Sequence, residues 1–288
     1  MLELQVGVNG LLIGGIYALM ALGMALVWGV LRIINIAHGA YIVLGGYTAF
    51  WLFELYRIDP FMSLPLAMAL MFVLGYAIQK IVINHIVRAA MFFTLLVTFG
   101  IDILIINLAQ LAWKTNYRTV TPSYFTQSLN LGNLTLPWPR VGAFVAALAI
   151  TGLFFWLLRV SKLGRSIRAV SQDLDASRLC GVNLSRTYAV TYGLGAAIAG
   201  GAGALLTLVM SINPQFGAPL TMKSFVVAVL GGLGTVWGSV VGGLVLGVAE
   251  EFGVLYLGDT LRNGIGFGML VLVLMLRPQG LLGKRRGE

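Results

Sequence analysis

A helix of about 20 apolar residues crosses the hydrocarbon of a bilayer, and this chain supplies such runs from end to end. Residues 8–31, 36–56, 62–83 and 91–113 form the first four, 140–158 the fifth and 187–210 the sixth. Residues 222–253 are interrupted by "GGLGTVWG", which predicts two pieces, and 262–277 form the last run. The runs are continuous, whereas strands of a membrane barrel alternate over about ten residues. The expected fold is an all-α polytopic membrane protein with eight or nine crossings, one transmembrane domain over residues 1–288. Only 10% of the residues are charged, against about 25% in a soluble domain.

The remaining charges predict an orientation. Arg159, Lys162, Arg165, Arg168, Arg178 and Arg186 crowd into 159–186, and Arg277, Lys284, Arg285 and Arg286 into the tail. Basic loops stay in the cytoplasm, so both segments are expected there, with Lys80 and Arg88, and the N-terminus outside. The polar connection 114–139 then falls outside although Lys114, Arg118 and Arg140 accompany it. The net charge of +9 is thus an orientation signal and implies no nucleic-acid partner. The N-terminal "MLELQVGVNG" lacks a basic n-region and a small-residue cleavage site, and reads as the start of the first helix.

The chemistry of soluble enzymes is missing from the sequence. There is no G-x-x-x-x-G-K-[ST] to cradle phosphates and no H-E-x-x-H. With two histidines, His38 and His85, and one cysteine, Cys180, no catalytic, metal or cofactor site is expected, nor an internal disulfide.

Two polar features stand out. "NIAHGAYIVLGGY", 35–47, places Asn35 and His38 between apolar runs. As an unbroken helix 36–56 is about 31 Å long, which puts both residues at its cytoplasmic beginning, beside Arg32. Asn35 is then placed to cap the helix and Gly39 to admit a close neighbour, and the stretch is expected to shape an inner gate. His38 is poorly placed for a proton relay, because the positive end of a helix opposes an imidazolium. The second feature is the run 91–113, where Thr94, Thr98 and Asp102 recur every four residues on one face, with Asn107 on the same helix. Two readings of Asp102 stand: it borders a water-filled translocation path, or it pairs with a basic group or a broken helix end. Glu250, Glu251, Lys223 and Arg262 read as solvated interface charges. Small-residue stripes such as Gly193, Ala197 and Gly201, or Gly195, Ala199 and Gly203, read as helix packing.

The charged segment "SKLGRSIRAVSQDLDASRLCGVNLSR", 161–186, predicts a short capped helix between two spans. Ile167, Val170, Leu174 and Leu179 fall near one face, Gly181 supplies a left-handed C-cap, and Asn183 or Ser185 caps the next helix. Its mixed charges and small apolar face suit docking to a protein better than to lipid.

This segment resembles the cytoplasmic coupling segment of branched-chain amino acid ABC transporter permeases of the LivH type, at Gly164, Arg165, Arg168, Asp173, Ala176, Leu179, Gly181 and Val182. "GGIYALMALGMALVWGVLRIINIAHG", 14–39, resembles the family's first helix and N-x-A-H-G signature; "VLGGLGTVWGSVVGGLVLGVAE", 229–250, its glycine-rich late segment; "LRPQGLLG", 276–283, its ending. The four occur in the family's order. The resemblance implies an importer subunit of the cytoplasmic membrane: a second homologous, LivM-like permease, two cytoplasmic ATPase subunits on the coupling segment (Gly164, Arg165, Arg168, Asp173, Asp175, Gly181), and an extracytoplasmic solute-binding protein. At Asp102 the family usually has a small polar residue, so this carboxylate is a departure. Urea, short amides and aromatic acids are alternative solutes in the wider family, and an ion-coupled carrier using Asp102 is the rival mechanism.

Overall fold

The computed structural model describes residues 2–283 apart from 88, 133 and 278; Arg88, Lys284, Arg285 and Arg286 of the expected cytoplasmic charge lie outside the described residues. The chain is helical almost throughout. Helix α1 (Leu2–Leu31) is followed by α2 (His38–Tyr56) and α3 (Pro60–Ile78), which runs through a π-helical turn (Gln79–Ile83) into the short α4 (Asn84–Ile86). Helix α5 (Met91–Trp113) leads to a two-stranded antiparallel hairpin, β1 (Ser128–Leu131) and β2 (Leu134–Pro137), and then α6 (Trp138–Val160). The charged segment forms α7 (Lys162–Gln172) and α8 (Leu174–Leu179). The bundle ends with α9 (Leu184–Leu206), α10 (Gly217–Gly231), α11 (Val236–Leu257) and α12 (Arg262–Leu276).

Among the described residues seven helices are long and apolar enough to cross a membrane: α1, α3 with α4, α5, α6, α9, α11 and α12 with its preceding turn. The eight or nine expected crossings are reached when α2, with 19 residues, or α2 and α10, with 15, are added. The interrupted run 222–253 is two helices, α10 and α11, broken at Gly232 and Gly234, both at positive φ.

Helices α1 and α9 are the centre: 94% and 89% of their apolar windows are buried, against 28% or less for α3, α5, α6, α11 and α12. The peripheral helices therefore turn apolar side chains outward, as a lipid or partner-protein surface requires. Glycine permits the tight central packing. A Cβ on Gly45 of α2 would collide with the backbone of Gly200 in α9, and one on Gly14 of α1 with the carbonyl of Gly243 in α11. The small-residue stripes act as expected: Gly195 meets the Gly23 carbonyl and Gly203 the Ile42 carbonyl.

The bundle has two ends. At the hairpin end Gln5 bonds the backbone of Thr135, and Arg118 exchanges both backbone hydrogen bonds with Ile212. At the loop end α7 lies under α1, α6 and the α10–α11 turn. Two helices begin inside this bundle. His38, the first residue of α2, bonds the carbonyl of Met20, eleven residues and about 16 Å up α1 from Leu31. Residues 32–37 therefore climb back into the protein. Helix α10, about 22 Å long, starts after an irregular stretch, 207–216, tied to the hairpin-end connection by Asn213 Nδ2 to the Thr115 carbonyl at 2.5 Å.

Candidate functional site

The start of α2 and the start of α10 meet at one buried point. Thr221 Oγ1 accepts from the Gly39 amide at 2.7 Å and donates to the Ile36 carbonyl at 2.9 Å. It supplies the cap that α2 lacks from its own N-cap position, since no side chain caps it there. Asn35 was expected in that role. Its Oδ1 instead accepts from the Tyr192 hydroxyl at 2.9 Å, and Tyr41 donates to Tyr192 at 3.3 Å. His38 is fully buried, with Nε2 2.9 Å from the Met20 carbonyl. Gly39 is obligatory for space: a Cβ would strike the Gly217 carbonyl and Thr221. The expected cytoplasmic edge is thus a junction deep in the protein, because the chain re-enters before the helix begins.

The face of α5 lies against this junction. Thr98 Oγ1 accepts from the Ile36 amide at 3.3 Å and lies 3.2 Å from the Ile34 carbonyl. Two turns on, Ile106 packs where a Cβ on Gly217 would stand. Asp102 sits between them on the same face, buried, and its Oδ1 has no hydrogen-bond partner among the described residues. Thr94, Thr98 and Asp102 are all buried, as their spacing by four required. Asn107 is not with them: it is exposed and bonds its own helix at Ile103. Thr94 lines a cavity of about 580 Å³ at the loop end, with Arg32, Asp173 and Tyr188.

The charged segment is two helices, not the single one expected, split at Asp173. That residue leaves helical geometry and caps α8, its Oδ1 accepting from the amides of Asp175 and Ala176 at 2.9 Å each. Ser161 caps α7 through the Gly164 amide, and Gly164 lies so close to the Leu158 carbonyl that no Cβ fits. Arg168 donates to the carbonyls of Leu158 and Arg159, and Arg165 to Val160, so both guanidinium groups cover the end of α6. Asp175 pairs with Arg178 at 3.3 Å on the surface. Gly181 takes positive φ, and Asn183 caps α9, as expected. Ile167 and Val170 are buried, but Leu179 is 91% exposed; the split rotates α8, so Leu179 points away from the bundle.

A family model described as branched-chain amino acid transport system / permease component matches residues 7–276. The chain belongs to this family. It is 35% identical over 299 residues to the high-affinity branched-chain amino acid transport system permease protein BraD of Pseudomonas aeruginosa, covering 99% of this chain and 97% of that one. With LivH of Escherichia coli K12, a permease protein of the same description, the figures are 32% over 303 residues, 99% and 97%. LivM of Salmonella typhimurium is 25% identical, over 95% of this chain and 69% of its own. No solved structure matches the chain significantly.

This permease also holds an ionic site that the sequence reading placed in solvent. Glu250 is fully buried. Lys223 Nζ lies 2.8 and 2.7 Å from its two carboxylate oxygens and 3.0 Å from the Tyr17 hydroxyl, which itself donates to Glu250 at 2.8 Å. Helices α1, α10 and α11 each contribute one member. A second pair, Arg262–Glu251 at 3.1 Å, is half-buried, and Arg262 also reaches Asp259 at 2.9 Å. The signal available in the sequence was two ionisable residues inside apolar helices, which are costly there unless paired.

Proposed function

We propose that this chain is the membrane-spanning subunit of an ATP-driven importer for branched-chain amino acids. Its named relatives supply the solute class, and the loop-end architecture supports the mechanism. A membrane helix bundle without a phosphate-binding loop can be driven by ATP only through a rigid element that another chain grips. The α7–α8 segment has that form: both helices are capped, α7 is fastened to α6 through Arg165 and Arg168, and Leu179 projects outward. It is wedged between cavities of about 540 and 580 Å³, which leave it room to move as a unit. This is the observation that carries the reading.

In this scheme two ATPase subunits dock on the segment and its counterpart in a LivM-like partner permease, and an extracytoplasmic binding protein delivers solute to the hairpin end. The loop end and the C-terminus face the cytoplasm, and the N-terminus faces outward. The Thr94–Thr98–Asp102 face borders the solute path, and the α2–α10 junction, with Asn35, His38 and Gly39, forms its inner gate. A small tilt of α7 reaches that junction through α1 and residues 32–37. Co-purification with candidate ATPase subunits, followed by ATP hydrolysis in liposomes with a panel of binding proteins, tests the reading. Hydrolysis stimulated by binding protein loaded with leucine, isoleucine or valine supports it. Stimulation only by proteins loaded with urea, amides or aromatic acids moves the solute assignment elsewhere in the family.

A further inference from the structure

We propose that the Lys223–Glu250 pair is a recognition site for a zwitterionic amino acid, with the ligand's carboxylate on Lys223, its ammonium on Glu250 and its aliphatic side chain in the adjoining apolar cavity. The proposal rests on the branched-chain amino acid reading above and assigns it a site.

The pair stands between two cavities. One, of about 310 Å³, is walled by Ala218, Met222, Val226, Leu246, Gly266 and Phe267. The other, of about 510 Å³, carries Arg140, Glu251, Asp259 and Arg262. Lys223, Pro219 and Asn263 line both, so they form the partition. Both volumes fall in the range of about 300–1,000 Å³ in which small-molecule sites occur. A vestibule of mixed polarity thus adjoins a largely apolar cavity across a single ion pair.

The charge chemistry selects the occupant. A buried ion pair broken by a cation or an anion leaves one charge without a partner. A zwitterion leaves none: its carboxylate takes the place of Glu250 on Lys223, and its ammonium takes the place of Lys223 on Glu250. Tyr17 keeps its bond to Glu250 throughout. The two protein groups are suited to this exchange. The Glu250 side chain is 1% exposed and held by Tyr17, whereas the Lys223 side chain is 16% exposed and flexible enough to swing toward the vestibule. Arg140 lines the vestibule that a carboxylate would cross first, where Arg262 is already paired with Glu251 and Asp259.

The test is equilibrium binding of radiolabelled L-leucine to the full-length chain in lipid nanodiscs, alone and with its partner subunits. Unlabelled L-leucine competes, while L-leucinol, which lacks the carboxylate, and 4-methylpentanoate, which lacks the amine, compete at least about tenfold more weakly; glycine, which leaves the chamber empty, falls behind by more than the roughly tenfold that a single missing methylene can cost. Lys223→Met with Glu250→Gln, which leaves no buried charge, abolishes binding. Met222→Trp, which narrows the chamber without touching the pair, weakens leucine and spares glycine. Equal competition by leucinol, or unchanged leucine affinity in the double variant, overturns the proposal. ATP-driven uptake separates this failure from failure of the parent reading. A wild-type complex that does not transport leucine defeats both. A wild-type complex that does, with an unchanged KM in the double variant, defeats this site alone.

Discussion

Replacing Lys223 with Met keeps the apolar stem of the side chain and removes only its charge. Glu250 then loses the donor at 2.8 and 2.7 Å, leaving the Tyr17 hydroxyl as its sole partner among the described residues. The Glu250 side chain is 1% exposed, so the uncompensated carboxylate is poorly solvated. Removing one member of a buried pair costs about 3–5 kcal/mol. Adding Glu250→Gln removes that charge as well, and the Gln carbonyl still accepts from Tyr17. What remains lost is ordinary hydrogen bonding, about 1–2 kcal/mol. The two variants are therefore strongly non-additive: the second substitution restores stability that the first removes. With about 2–4 °C per kcal/mol in a chain approaching this size, Lys223→Met lowers the unfolding midpoint by roughly 10 °C and the double variant by only a few degrees. Thermal unfolding in one detergent, followed by tryptophan fluorescence, reads both, and the double-mutant cycle gives the coupling. A single variant as stable as wild type, or a double variant whose loss equals the sum of the two singles, would refute the buried-pair reasoning.

Four further outcomes follow from the same geometry. Thr221→Val removes the hydroxyl that caps α2 and bonds Ile36; a loss of about 1–3 kcal/mol and reduced transport are expected in the same unfolding and uptake assays. Asp102→Asn keeps the shape of a side chain whose Oδ1 has no partner among the described residues, so folding is unchanged or improved while transport falls; unchanged transport would exclude Asp102 from the solute path. Asp173→Ala loses both cap bonds of α8, worth about 0.5–2 kcal/mol, and Arg168→Ala frees the end of α6; each uncouples ATP hydrolysis from transport, seen as hydrolysis that no longer responds to loaded binding protein. Gly39→Val places a side chain against Gly217 and Thr221, so folded protein is lost from the membrane fraction.

How legible this molecule was depends on what each feature needed. The apolar runs located nearly every helix, because membrane spanning is a property of local composition. The caps at Gly181 and Asn183 and the break between α10 and α11 were equally local, since they depend on a few residues and their backbone angles. The re-entry at 32–37 was not. An ordinary loop and a loop that climbs back into a bundle have the same sequence character, and what distinguishes them here is distant partners: Met20, Thr98, Tyr192 and Thr221 take up the hydrogen bonds of residues 34–39. For the same reason Asn35 read as a cap, while the cap came from Thr221, 182 residues from Gly39. Periodicity placed Thr94, Thr98 and Asp102 on one buried face, and the same periodicity turns Asn107, five residues past Asp102, away from it. Lys223 and Glu250 looked like helix-end charges because their partnership joins two different helices and a tyrosine from a third.

The central claim is that this bundle moves solute only when ATP is hydrolysed by other chains gripping α7 and α8. The most direct measurement is uptake of radiolabelled leucine into proteoliposomes that hold the complete complex, with ATP and binding protein supplied and ion gradients collapsed by ionophores. Accumulation that requires ATP and persists without ion gradients is the expected result. Accumulation by this chain alone, without ATP and abolished by the ionophores, would contradict it and make Asp102 the ion site of a gradient-driven carrier.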